Sequence, residues 1–232
     1  MPEALNSKLL FVTTADTEIL AAARASERMP EGFPNLLCAN PNVLEDPTAF
    51  FERELPGTAA VLVRLLGGRR AWPEGLEEVR RGCARLRVPL LAFGGEAEPD
   101  AELTALSSVP SGTVPEAYEY LRHGGIRNTE NLLRFVADTV LMEGYGFEPA
   151  SALSDVGVYH PGLPEDSTVE ELLARHDPAH PTVGVVFYRA HWMSGNTAFV
   201  DTLVEALEAA GVNALPVYCY SLRAGPDGQV PA

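Results

Sequence analysis

A chain of 232 residues with 46% hydrophobic and 21% charged residues has globular composition and enough length for a proper core, which excludes a disordered tail or linker protein. Its net charge of −15 repels phosphate backbones and argues against nucleic acid, and no apolar run approaches the roughly 20 residues needed to cross a bilayer. Met1 to Asp16 lack the basic start, long apolar stretch and small-residue cleavage site of a secretory leader, so a cytoplasmic protein is expected.

Lys8 to Thr13 (KLLFVT) reads as a buried strand. A helix from Thr17 to about Arg28 follows, with Thr14 and Asp16 placed to cap it. Phe33 to Ala39 is a second apolar run, and Asp46 to Leu55 a helix with Pro47 in its first turn. Ala59 to Leu66 (AAVLVRLL) is the clearest strand, closed by Gly67-Gly68. Pro73 to Arg87 is amphipathic, with Leu76, Val79, Cys83 and Leu86 on one face. Arg80, Arg81, Arg85 and Arg87 lie on the same helix without interleaved aromatics and behind Glu74, Glu77 and Glu78, so they read as a solvated face. Val88 to Phe93 is the next strand, ending in Gly94-Gly95, and helices over Val114–Arg122 and Thr129–Glu143 complete the first stretch. Continuous apolar strands alternating with helices predict a parallel sheet buried on both faces. The expected class is α/β, flavodoxin-like or Rossmann-like, over residues 1–146.

The composition changes near Gly144. Acids and Pro149, Pro161, Pro164, Pro178 and Pro181 crowd residues 147–182, which read as a linker with a helix only over Thr168–Arg175. The pattern restarts over 183–232. Val183–Tyr188 is a strand, Thr197–Ala210 a helix with Gly211 just past its end, and Asn213–Tyr220 another strand. One βαβ unit cannot cover both faces of its own sheet. The segment is therefore expected to begin a second domain or to dock on the first sheet.

Lys8 is the only lysine, against sixteen arginines, and no glycine precedes it. The chain thus has no phosphate-binding G-x-x-x-x-G-K-[ST] loop, and any ATP chemistry must come from a partner. G-x-G-x-x-G, H-E-x-x-H and G-x-S-x-G are also missing. Cys38, Cys83 and Cys219 are too far apart for a zinc or redox motif and read as core residues. His176 and His180 are separated by Pro178, which precludes a helical metal pair, and no metal ligands are assigned. His123 reads as a helix C-terminal residue favoured by the dipole.

Two loops gather chemistry. In the first, Arg64 sits in an apolar strand just before Gly67 and Gly68, at the carboxyl end where open α/β sheets bind ligands. A buried Arg needs a partner; either backbone carbonyls at the sheet end or a bound ligand would serve. The second runs Tyr188-Arg189-Ala190-His191-Trp192-Met193-Ser194-Gly195-Asn196, between a strand and a helix N-terminus. Arg189 beside a helix N-terminus suits a carboxylate, with Tyr188, His191 and Asn196 as further contacts. The alternative is a structured loop with Asn196 as the helix cap.

The segments VLVRLLGGRRAWPEGLEEVR, EPDAELTALSSVP (98–110), LRHGGIRNTENLLRFVAD (121–138), GVYHPGLP (157–164) and VGVVFYRAHWMSGNTAFVDTLVEALEAAGVNALPVYCYSL (183–222) occur in this order. Together they resemble the N-terminal region of the large cobaltochelatase subunit, CobN, of the CobN/magnesium-chelatase H family, over nearly the whole chain. The YRAH–GNT–NALPV stretch reads as CobN rather than as its magnesium-chelatase counterpart. The resemblance implies a part of the corrin-binding subunit. That subunit takes hydrogenobyrinic acid a,c-diamide and cobalt, while two AAA+ motor subunits, CobS and CobT, hydrolyse ATP. No cofactor is expected on the chain itself. CobN subunits are several times longer, so the chain is expected to be a piece inactive alone, with the Gly/Pro-rich Ala224–Ala232 as a connector to the remainder. The other reading is a free-standing head domain that binds or assembles without catalysis.

Overall fold

The computed structural model describes residues 8–95 and 98–223, and the chain divides into two units, Met1–Ser151 and Ala152–Ala232. In the first, strands β1 (Lys8–Thr13), β2 (Asn35–Ala39), β3 (Thr58–Leu65) and β4 (Leu90–Gly94) alternate with helices α1 (Asp16–Ser26), α2 (Pro47–Glu54) and α3 (Pro73–Leu86). Helices α4 (Ala101–Thr104), α5 (Thr113–His123) and α6 (Ile126–Val140) follow. The strands form one parallel sheet in the order β2-β1-β3-β4. This is the expected α/β layer.

Its strands are apolar through their middles because both faces are covered; Lys8, Thr13, Asn35, Thr58 and Arg64 are the polar positions, at or near strand ends. Leu9, Phe11, Leu62 and Phe93 pack on one side against α1, α5 and α6. Leu10, Val12, Val61 and Val63 pack on the other against α2 and α3. Alternation along a strand sends neighbours to opposite faces. Each such side chain contributes about 1.5–3 kcal/mol on burial. Cys83 lies in the second core, and burial pushes its thiol up to about 12 and that of Cys38 up to about 11.

Local capping departs from expectation at α1. Neither Thr14 nor Asp16 caps it; the cap position is Ala15, without a side-chain bond. The Thr14 hydroxyl instead accepts from the Leu66 N–H at 2.9 Å, and Asp16 accepts from Asn40 Nδ2 at 2.8 Å. Both side chains are drawn to neighbouring loops at the carboxyl end of the sheet. Asp46 does cap α2, accepting from the Ala49 N–H at 2.9 Å.

The second unit contains β5 (Val156–Val158), α7 (Val169–Leu173), β6 (Thr182–Tyr188), α8 (Arg189–Met193), α9 (Ala198–Ala209) and β7 (Asn213–Cys219). Its sheet runs β5-β7-β6, with β6 parallel and β5 antiparallel to β7. Val200 and Val204 of α9 pack on Phe187, Ala214 and Tyr218. Gly211, at φ +74°, follows the helix as its C′ glycine.

The expected linker over 147–182 is instead mostly built into this unit. β5 lies within it, and a capping box starts α7: Thr168 Oγ1 accepts from the Glu171 N–H, and Glu171 accepts from the Thr168 N–H. Asn213, at the start of β7, accepts from the Asp177 N–H and donates to the Asp177 and His180 carbonyls. His176 bonds the Ala214 carbonyl oxygen at 3.1 Å. The prolines break helices here without freeing the chain. No helix among the described residues is long and apolar enough to cross a membrane. The expected connector, 224–232, lies outside the described residues.

Candidate functional site

Both loops singled out by sequence lie at carboxyl ends of strands. Arg64, near the end of β3, is 7% exposed. Its Nη1 donates to the Leu121 carbonyl at 2.6 Å and sits 3.0 Å from Glu18 Oε1. Glu18 in turn accepts from the Thr13 hydroxyl at 2.6 Å. Burial raises the Glu18 carboxyl above its ordinary range, and the Arg64 charge and the Thr13 bond oppose that rise. Arg64 therefore joins β3, α1 and the end of α5. Its buried Nε makes no hydrogen bond among the described residues.

Gly67 and Gly68, at φ +88° and +69°, turn the chain out of β3. A Cβ on Gly68 would meet Asp100 Oδ2 at 2.9 Å, and one on Gly95 would meet Leu66 Cα at 2.7 Å. Asp100 itself caps α4 through the Leu103 N–H at 3.0 Å. The glycines after β3 and β4 thus let two loops close over the sheet end. Arg64, Gly67 and Gly68 have structural partners here, which favours the carbonyl-bonded reading of Arg64.

The second loop is not a loop throughout, because Arg189–Met193 form α8. Arg189 Nη1 lies 3.2 Å from the Leu153 carbonyl oxygen, 3.1 Å from that of Ser154 and 2.8 Å from Asp155 Oδ1. Its guanidinium lies 5.5 Å from the Tyr220 ring centroid. The charge pins residues 153–155 beside the end of β6. His191 sets its ring edge-on to Phe199, centroids 5.0 Å apart. Trp192 stacks on Tyr218 at 4.3 Å. Tyr188 is 60% exposed, and Asn196 is exposed.

Asn196 does not cap α9; Thr197 occupies that position. The N-terminus of α9 already carries an anion, Asp201, in its first turn. Asp201 accepts from the Tyr159 hydroxyl at 2.7 Å, and Thr197 Oγ1 lies 3.0 Å from the same hydroxyl. Tyr159 and His160 were not singled out by sequence reasoning. His160 is 5% exposed; its Nδ1 accepts from the Gly162 N–H at 3.0 Å, which leaves Nε2–H to donate to Glu208 at 2.9 Å. Their signal was the aromatic pair before Pro161-Gly162, a turn that needs fastening. The surface left at this sheet edge is Tyr188, the His191–Phe199 pair and Asn196.

A groove of about 740 Å³ lies between α2 and α3; Leu55, Glu74, Glu77, Glu78 and Arg81 help line it, and Arg69, just past Gly68, reaches it from the first loop. Hydrogen bonds from Arg80 and Arg81 hold the Glu77 carboxyl down at about 2. Among the described residues no cluster of His, Cys, Asp and Glu could hold a metal ion.

The family model described as CobN/Magnesium Chelatase matches residues 118–231. The chain is 31% identical over 224 residues to the aerobic cobaltochelatase subunit CobN of Pseudomonas aeruginosa, covering 94% of this chain and 18% of that protein. The chain belongs to the CobN/magnesium-chelatase family. A solved structure, the catalytic subunit of cobaltochelatase from Mycobacterium tuberculosis, superposes with a TM-score of 0.76 at 37% identity over 95% of this chain and 17% of that one. Similarity to the H component of the magnesium chelatase of Cereibacter sphaeroides is no lower, 36% over 229 residues, covering 95% of this chain and 18% of that protein. Overall identity by itself does not separate the CobN branch from the magnesium branch. The chain spans 18% of the length of these curated relatives.

Proposed function

We propose that this chain is the N-terminal part of the corrin-binding subunit of an ATP-dependent cobaltochelatase, which inserts cobalt into hydrogenobyrinic acid a,c-diamide. The observation that carries this reading is the match to CobN over 94% of the chain, supported by the likeness to the cobaltochelatase catalytic subunit. On this reading CobS and CobT supply ATP hydrolysis, and the chain alone inserts no metal. Its contribution is a scaffold and one edge of the ligand surface, with cobalt and corrin as substrates. Tyr188, His191 and Asn196 are the residues through which the second sheet would touch the macrocycle. Aromatic rings offer a face for a flat ligand, and an imidazole and an amide can bond its side-chain carboxylates and amides. Arg189 acts one step back, holding the edge in place.

The test uses a complete cobaltochelatase subunit carrying this segment. His191→Ala with Asn196→Ala should weaken corrin binding about tenfold or more, followed by the change in corrin absorbance, with an unchanged circular dichroism spectrum. Corrin binding and cobalt insertion at the parent level would remove the edge from the ligand site. Cobalt insertion by the 232-residue chain with ATP and no other protein would overturn the division of labour.

A further inference from the structure

We infer that the open edge of β6 and an outer apolar stripe on α9 receive a parallel strand and its covering helix from the remainder of a CobN-length polypeptide. This deepens the functional reading above and rests on it. In the first unit β1-α1-β2 sets β2 on one side of β1, and β3 takes the other side. In the second unit β6-α9-β7 repeats the step and sets β7 on one side of β6. Beyond β7 the sheet is closed by β5. The other side of β6, the place that β3 holds beside β1, has no strand among the described residues.

The sequence of β6, TVGVVFY, is that of a central strand. Five of the six residues of β1 are buried, but only Phe187 of β6 is. Val183 is 41% exposed and Val186 56%. They are three apart, so they point to opposite faces, and each face of β6 is open at one of them although α9 covers Phe187. An edge strand in a free-standing domain is ordinarily guarded by charge, proline or a bulge. None of its seven residues is charged or proline.

The helix above tells the same story. Val200, Val204 and Leu207 of α9 face the core. A second stripe, Phe199, Leu203, Ala206 and Ala210, follows at helical spacing and is exposed, Phe199 by 44% and Leu203 by 47%. A polar ligand would not need an apolar stripe; a second packed element would. A second copy of this chain is a poor occupant, since each brings a net charge of −15. The remainder of a CobN-length polypeptide has the length to supply the strand and helix, because the chain spans 18% of such a relative.

The probe is the Pseudomonas aeruginosa CobN subunit with the segment that matches this chain deleted. The 232-residue chain should bind it, and backbone amides of β6 should exchange at least tenfold more slowly in the complex. Val186→Asp and Leu203→Asp should each weaken binding tenfold or more, whereas Glu205→Gln, off the apolar stripe, should not. Circular dichroism checks the strand variant, and Leu203, exposed on a helix, covers the case in which Val186→Asp fails to fold. Undiminished binding by Leu203→Asp, with β6 amides unprotected, overturns this docking site and leaves the family reading intact. Absence of any complex overturns both the docking site and the proposed place in a corrin-binding subunit, while the family membership stands. Self-association of the chain that Val186→Asp abolishes would make a second copy the occupant and overturn the inference.

Discussion

The buried pair Arg64–Glu18 offers a quantitative test of whether Arg64 serves the fold or a ligand. The two side chains are 9% and 21% exposed and 3.0 Å apart. At an effective dielectric of about 20 their gross attraction at this separation is about 5 kcal/mol, most of it offset by the cost of desolvating both ions. Arg64→Met removes one charge and leaves the other buried, which costs about 3–5 kcal/mol. Taking 3 kcal/mol and a urea slope of about 2 kcal/mol per molar, the midpoint should fall by about 1.5 M. Arg64→Met with Glu18→Leu should recover to within about 1 kcal/mol of the parent, because nothing charged is then buried. The pH dependence follows from sign. The folded Glu18 carboxyl is raised above its ordinary 4.5, so the folded state holds that proton more tightly than the unfolded state. Its contribution therefore favours folding at low pH and is lost as pH rises from about 4.5 through the folded value. Without Arg64 the rise is larger, so the deficit of Arg64→Met should shrink as pH falls from 8 towards 5. The assay is urea denaturation of a Trp192→Phe background, in which Trp72, packed on Phe51 at 5.4 Å, reports the first unit. A midpoint within 0.3 M of the parent at pH 7.5, or a double variant no more stable than Arg64→Met, would refute the reasoning.

Gly68→Ala should cost about 2–3 kcal/mol, since Gly68 has φ +69° and its Cβ would meet Asp100. Gly32→Ala, at φ +86° with open space around it, should cost only about 1 kcal/mol, and equal losses in thermal denaturation would deny the Asp100 contact a role. Arg189→Ala should free residues 153–155 and destabilise the second unit by about 1–3 kcal/mol, read by Trp192 fluorescence in urea on a Trp72→Phe background; an unchanged midpoint would release Arg189 for a ligand. Cys38, Cys83 and Cys219 should react slowly with a disulfide reagent at pH 8 in the native chain and fast in denaturant, because two are buried, one is half-buried, and burial raises the thiols of Cys38 and Cys83. Rapid native labelling of Cys83 would contradict the packing of α3.

The first sheet was legible because each strand is a mostly apolar run, with Arg64 near the end of β3 as its one inner charge, and each main helix carries one apolar face. A pattern that simple leaves few arrangements, and the structure reproduces the four strands to within one or two residues at most ends. The stretch from 147 to 182 was not legible, because its order comes from contacts distant in sequence. Asn213 fastens 177 and 180, and Glu208 fastens His160. Proline count measures only the loss of helix. At the candidate site, sequence placed both loops at carboxyl ends of strands, where the structure has them, but did not show the commitments of the arginines. Whether Arg64 and Arg189 face solvent or their own carbonyls depends on Leu121 and on 153–155, at separations of 57 and 34–36 residues.

Those commitments bear on what the chain would contribute to the proposed metal-insertion complex. Lys8 lies at the start of β1, the edge opposite the carboxyl ends, and its ammonium is paired with Glu54. Arg64 is held by Glu18 and the Leu121 carbonyl, and Arg189 by residues 153–155. The N-terminus of α9 is matched by its own Asp201. Arg64 and Arg189 are thus spent inside the fold, so a polyphosphate held by either would have to break its pairs. That cost argues for nucleotide turnover on other subunits, as the proposed reading requires. What the edge at α8 and the start of α9 leaves open is a tyrosine, an imidazole set against a phenyl ring, and an amide. On the proposed reading such a surface would discriminate by shape and by a few hydrogen bonds, as one wall of a site whose other walls come from elsewhere in the subunit.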